Sequence, residues 1–142
     1  MFYEDIMLVL REPLSDVVDL VRTRLPDVVA VYLFGSQASG QSTADSDVDL
    51  AVLGADRLDP VARWELQEDL AARLHRKVDL VDLRGASTVM RVQVLDRANV
   101  LFDGNPGARA LFEATALSSY ARLNEERRGI LIDIRARGTI HG

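Results

Sequence analysis

Val28 to Phe34 is an unbroken apolar run of β-branched and aromatic residues closed by Gly35, and it restricts the fold more than any other stretch. It is far too short to span a bilayer and reads as a strand buried on both faces. The segments around it alternate in type. Leu14, Val17, Val18, Val21 and Leu25 fall at helical spacing, with Pro13 suited to a first turn and Pro26 to a stop. Asp47 to Leu53 has period two, with Asp47, Asp49 and Ala51 on one face and Val48, Leu50 and Val52 on the other. This strand is expected to bury one side and to offer carboxylates on the opposite one.

Asp59-Pro60 is a cap and first-turn pair for a helix that runs to about His75. Lys77 to Leu83 repeats the period-two pattern, with Val78 and Leu80 on one face and Asp79 and Val81 on the other. Ser87 is placed to cap a helix through Asp96, Asn99 to Phe102 fits a last short strand, and Asp103 to Gly107 is a turn cluster. A long helix is expected over about 108–135. Leu111, Leu117, Tyr120, Leu123, Ile130 and Ile134 mark its apolar side, and Arg122 with Glu125 to Arg128 its charged side. The class is α/β.

With 142 residues and no linker-like stretch, the chain is expected to form a single domain, 1–142, large enough to bury one core. It contains no cysteine, which removes disulfides and thiolate metal sites and makes a reducing cytoplasm the simplest setting. Acids stand where a secretory signal would carry Lys or Arg. A formal net charge of -5 does not favour binding to phosphate backbones, so no direct nucleic-acid partner and no membrane are expected.

Chemistry concentrates in one string: Gly35-Ser36, ten residues, then Asp47-Val48-Asp49. A Gly-Ser turn after a buried strand lets a phosphate approach backbone N–H groups, and the Ser hydroxyl adds a donor. Two Asp side chains two residues apart on a strand project side by side, and hard oxygen ligands of this kind suit Mg²⁺ with the oxygens of a phosphate chain. Asp79 comes to the same face from another strand, which allows a second ion about 3.5 to 4 Å from the first. That arrangement serves nucleotidyl transfer.

The segment Leu33-Phe34-Gly35-Ser36-Gln37-Ala38-Ser39-Gly40 with Ser46-Asp47-Val48-Asp49-Leu50 resembles the signature of the DNA polymerase β nucleotidyltransferase superfamily in its minimal form. Ala62 to Leu66, Val78 to Leu83 and Tyr120 to Arg128 are similar to the MntA antitoxins of MNT/HEPN toxin–antitoxin pairs, across nearly the full length. The resemblance implies a minimal nucleotidyltransferase fold, a small mixed sheet flanked by helices with a long C-terminal helix. It implies that Gly35 and Ser36 hold the triphosphate of ATP, that Asp47 and Asp49 bind Mg²⁺, and that Asp79 completes a two-ion site as ligand or base. It also implies transfer of AMP to a tyrosine of a partner HEPN ribonuclease, in a hetero-oligomer. Many family members carry Arg after the Gly-Ser pair, where this chain has Gln37, so another cation must serve the phosphates.

Other residues carry plainer expectations. Asp82 shares parity with Val78 and Leu80 and takes a strand-end or loop role. Trp64 is expected in the core or in helix packing. His75 and His141 are surface residues and not a metal pair. A transferase for a small hydroxylated molecule and a binding-only antitoxin are the competing readings. The Arg, four to six residues, His, one residue, Tyr pattern of a HEPN ribonuclease is absent.

Overall fold

A computed structural model describes residues 14–35 and 47–141. In chain order the elements are helix α1 (14–24), β1 (Ala30–Phe34), β2 (Val48–Leu53), α2 (Pro60–Leu74), β3 (Val78–Asp82), α3 (Thr88–Asp96), β4 (Asn99–Asp103) and α4 (Pro106–His141). Pro13 and residues 36–46 lie outside the described residues. The strands form one mixed sheet in the order β3-β2-β1-β4. β1 runs antiparallel to both β2 and β4, whereas β2 and β3 are parallel and joined by α2.

Helices cover both faces of this sheet. On one face Val31, Leu33, Val48, Leu50, Val52, Val78 and Leu80 pack under α1 (Leu14, Val17, Val21) and α2 (Leu66, Leu70). On the other, Ala30, Tyr32, Ala51 and Leu53 pack under Val94 of α3 and Phe112 of α4. β2 is therefore not the one-sided strand that its alternation suggests. As an inner strand it is buried on both sides from Leu50 onward, and only its Asp47–Asp49 end is left open.

Local chemistry accounts for the helix ends. The Asp59 carboxylate accepts from Val61 N and Ala62 N, Pro60 opens α2, and His75 closes it in a left-handed conformation. The Ser87 hydroxyl accepts from Met90 N at the start of α3. β3 is an edge strand, but its outward groups at Leu80 are met from α2: Gln67 Oε1 accepts from Leu80 N at 3.0 Å, and Arg63 donates to the Leu80 carbonyl at 3.0 Å.

α4 begins earlier than the sequence pattern predicts, because Asn105 caps it through Ala108 N and Pro106 suits its first position, and it runs on to His141. Its body-facing residues are Phe112 and Ala116, while Leu111 and Leu117 are exposed. The helix carries apolar residues on more than one face, and the i, i+4 pair that packs is not the row of leucines. Arg109 binds both Asp103 at the end of β4 and Glu113, and Glu113 accepts from the Tyr32 hydroxyl at 3.2 Å. Burial, and then Glu113, push the Tyr32 phenol far above its usual pKa, so it stays a neutral donor.

Candidate active site

The parallel register pairs Asp49 with Asp79 and Val48 with Val78. Both Asp side chains project on the α3/α4 face of the sheet, at the end where the helices no longer cover it. Asp47 precedes β2 by one residue and shares the parity of Asp49. β1 brings in the glycine: Phe34 pairs with Asp49, and Gly35 follows with φ +73. A Cβ at Gly35 would lie 2.1 Å from Asp49 Oδ2, so the backbone here passes where only glycine fits. Ser36 lies outside the described residues.

Three carboxylates at one end of two adjacent strands repel one another. The Asp49 carboxyl is raised above its ordinary pKa, first by burial and then by the charges of Asp79 and Asp47. Among the described residues no group of three or more His, Cys, Asp or Glu side chains stands close enough together to hold a metal ion as placed. What is assembled is an open set of hard oxygen donors with uncompensated negative charge, the chemistry that a divalent cation satisfies. Among the described residues, Lys77 stands against it in an ion pair, with Nζ 3.8 Å from Asp47 Oδ2.

A glycine that follows a buried strand and passes close to paired strand carboxylates agrees with what the comparisons find. The family model described as "Polymerase beta, Nucleotidyltransferase" matches residues 15–106. The chain belongs to this nucleotidyltransferase family. The protein adenylyltransferase MntA of Shewanella oneidensis is 43% identical over 122 residues, 86% of this chain and 87% of that protein. A crystal structure of a toxin–antitoxin with AMP-PNP matches with a TM-score of 0.77 and 42% identity, over 85% of this chain and 97% of that one. A structure of tri-AMPylated Shewanella oneidensis HEPN toxin in complex with MNT antitoxin matches with a TM-score of 0.73 and 40% identity, over 87% of this chain and 97% of that one. The first 106 of 142 residues cannot supply an 85% match, so the likeness continues from the nucleotidyltransferase domain into α4.

Other sequence-based assignments divide in this nucleotidyltransferase. Asp82 is buried away from the acidic trio and accepts from Leu58 N at 2.9 Å and Arg84 N at 3.2 Å, tying the loop before α2 to the end of β3. His75 is exposed. Trp64 is not in the core: it is 54% exposed, with Val61 beside it, because α2 buries Leu66, Leu70 and Leu74 and turns its 61/64 edge outward. Lys77 is the residue that reasoning from motifs passes over. Two signals for it are present in the sequence: it shares the parity of Asp79, and it is the only lysine in the chain.

Proposed function

We propose that this chain is a protein adenylyltransferase antitoxin that transfers AMP from ATP to a tyrosine of a HEPN ribonuclease toxin in the cytoplasm and so silences it. The observation that carries the proposal is the pairing of Asp49 with Asp79 beside Gly35, with Asp47 on the same sheet face, in a chain whose likeness to toxin–antitoxin structures runs on into α4.

In this reading the phenol oxygen of the acceptor attacks the α-phosphorus of ATP. The bond from the α-phosphorus to the α,β-bridging oxygen breaks, pyrophosphate leaves with that electron pair, and the phenol proton passes to a carboxylate or to water. Asp47, Asp49 and Asp79 would hold Mg²⁺, which when bound neutralises the phosphate oxygens and lowers the pKa of the attacking hydroxyl. Asp79, on the exposed edge strand, completes the set as ligand or as proton acceptor. Gly35 keeps the backbone clear for the triphosphate, and Ser36 adds a hydroxyl donor.

α4 is proposed as the arm that docks the acceptor. It starts at the Asp103 end of the sheet, and Glu113 has already reached Tyr32, at mid-strand, on the way to the Phe34 and Asp49 end. At about 1.5 Å per residue the helix clears that end soon after Ala116, near the acids. Beyond it Leu123, Ile130 and Ile134 are exposed at heptad-like spacing, the pattern that seats a helix against another helical surface. A protein held there lies next to the carboxylates.

The test is mass spectrometry of a HEPN toxin after incubation with this chain, ATP and Mg²⁺. Each AMP adds about 329 Da to a tyrosine-containing peptide, a shift fixed by covalent transfer. The gain should be absent with the Asp47→Asn or Asp49→Asn protein. A toxin neutralised without mass gain, and equally well by Asp47→Asn, overturns the catalytic reading and leaves a binding module.

A further inference from the structure

The phosphates of a bound nucleotide need positive charge, and the turn that would receive them has none. No Lys or Arg occurs between Arg24 and Arg57, a stretch that includes β1, residues 35–46 and β2. Any side-chain cation that joins the metal in serving them comes from another element. Lys77 directly precedes β3, and its carbonyl accepts from Val48 N at 2.9 Å. This bond carries the parallel register one step beyond the strand, so that Asp47 and Lys77 stand side by side as Asp49 and Asp79 do. The result is a two-by-two block on one sheet face: three acids and the chain's single lysine.

The Lys77 side chain is 72% exposed and its contact with Asp47 is long, at 3.8 Å. An exposed pair of that length adds little to stability, so it does not explain the lysine. A compact ammonium on a flexible four-carbon stem can leave such a contact for a stronger one. The neighbouring Asp49 and Asp79 are negative and repel the polyphosphate.

Resting on the proposal that the site takes ATP, we propose that Lys77 is the phosphate-binding cation of the active site: its ammonium leaves Asp47 when ATP binds and contacts the β- and γ-phosphates. There it offsets the charge that collects on pyrophosphate as the bond from the α-phosphorus to the bridging oxygen breaks. The lysine keeps its proton throughout and exchanges no bond.

The experiment compares ATP and AMP affinity by calorimetry with Mg²⁺ for the wild type, Lys77→Met and Lys77→Arg, together with single-turnover AMP transfer and thermal melting. A charge-assisted contact to phosphate predicts that Lys77→Met weakens ATP binding about ten- to thirtyfold and AMP binding less than about twofold. Transfer slows, melting is unchanged, and Lys77→Arg recovers most of the ATP affinity. If Lys77 only balances the charge of Asp47, the ratio of ATP to AMP affinity stays at the wild-type value in Lys77→Met, and the proposal is overturned. A wild-type chain that binds no ATP overturns it as well. A chain that binds ATP through Lys77 yet leaves the toxin unmodified refutes the proposed function alone.

Discussion

Replacing Gly35 by Ala perturbs the site through a single methyl group, and the structure separates its two effects. The backbone at Gly35 has φ +73, a left-handed conformation that costs an alanine about 1 to 2 kcal/mol relative to its preferred regions. The new Cβ would stand 2.1 Å from Asp49 Oδ2, 3.0 Å from its Cγ and 3.2 Å from its Cβ. Carbon and oxygen do not approach so closely, so the carboxylate must rotate away from a half-buried position, at roughly 0.5 to 1.5 kcal/mol for an off-rotamer side chain. Together these predict a loss of about 1.5 to 3.5 kcal/mol by urea denaturation. The transfer rate should fall more steeply, since a misplacement of about 1 Å at a reacting centre is worth roughly a hundredfold. A double-mutant cycle with Asp49→Ala isolates the clash. In that background only the backbone cost and the Cβ contact remain, leaving a coupling of about 0.5 to 1.5 kcal/mol. A Gly35→Ala protein of wild-type stability and wild-type transfer would refute the reasoning, and a large loss with no coupling to Asp49 would refute the contact.

Three further outcomes follow from the same geometry. Because the native Asp49 carboxyl titrates above its unfolded value, its ionisation weakens the fold; the penalty is absent below the ordinary aspartate range and complete once pH has risen past the native value. Asp49→Asn should therefore raise the melting temperature of metal-free protein at pH 7 and have little effect in acid, and a fall at pH 7 would exclude uncompensated repulsion. In single-turnover assays Asp79→Asn should depress AMP transfer strongly and Asp82→Asn only mildly, whereas Asp82→Ala, which strands Leu58 N and Arg84 N, should cost about 1 to 3 kcal/mol of stability; the reverse order of the two Asn variants would show that the wrong carboxylate is assigned. Truncation after Asn124 removes a part of α4 whose residues 125–137 are exposed, and should weaken toxin binding while leaving ATP affinity as it was, which pull-down and calorimetry on the same samples would check.

The sequence by itself determined most of the elements and the position of the acids. Asp59-Pro60, Ser87 and the period-two strands act through contacts within a few residues, so local chemistry suffices to place them. Parity also predicted that Asp79 and not Asp82 would join Asp49, and the parallel register brings the two together. Tertiary packing decided what periodicity could not encode. Whether Ala51 faces water or core depends on α3 and α4 closing over that face, and whether Trp64 is buried depends on which edge of α2 meets the sheet. Along α4 several apolar rows compete, and the selection of Phe112 and Ala116 over Leu111 and Leu117 is made by the surface beneath them. The place of Lys77 has the same origin: only the pairing of β2 with β3 sets it beside Asp47, because a contact between residues thirty apart follows from strand register and not from either segment alone.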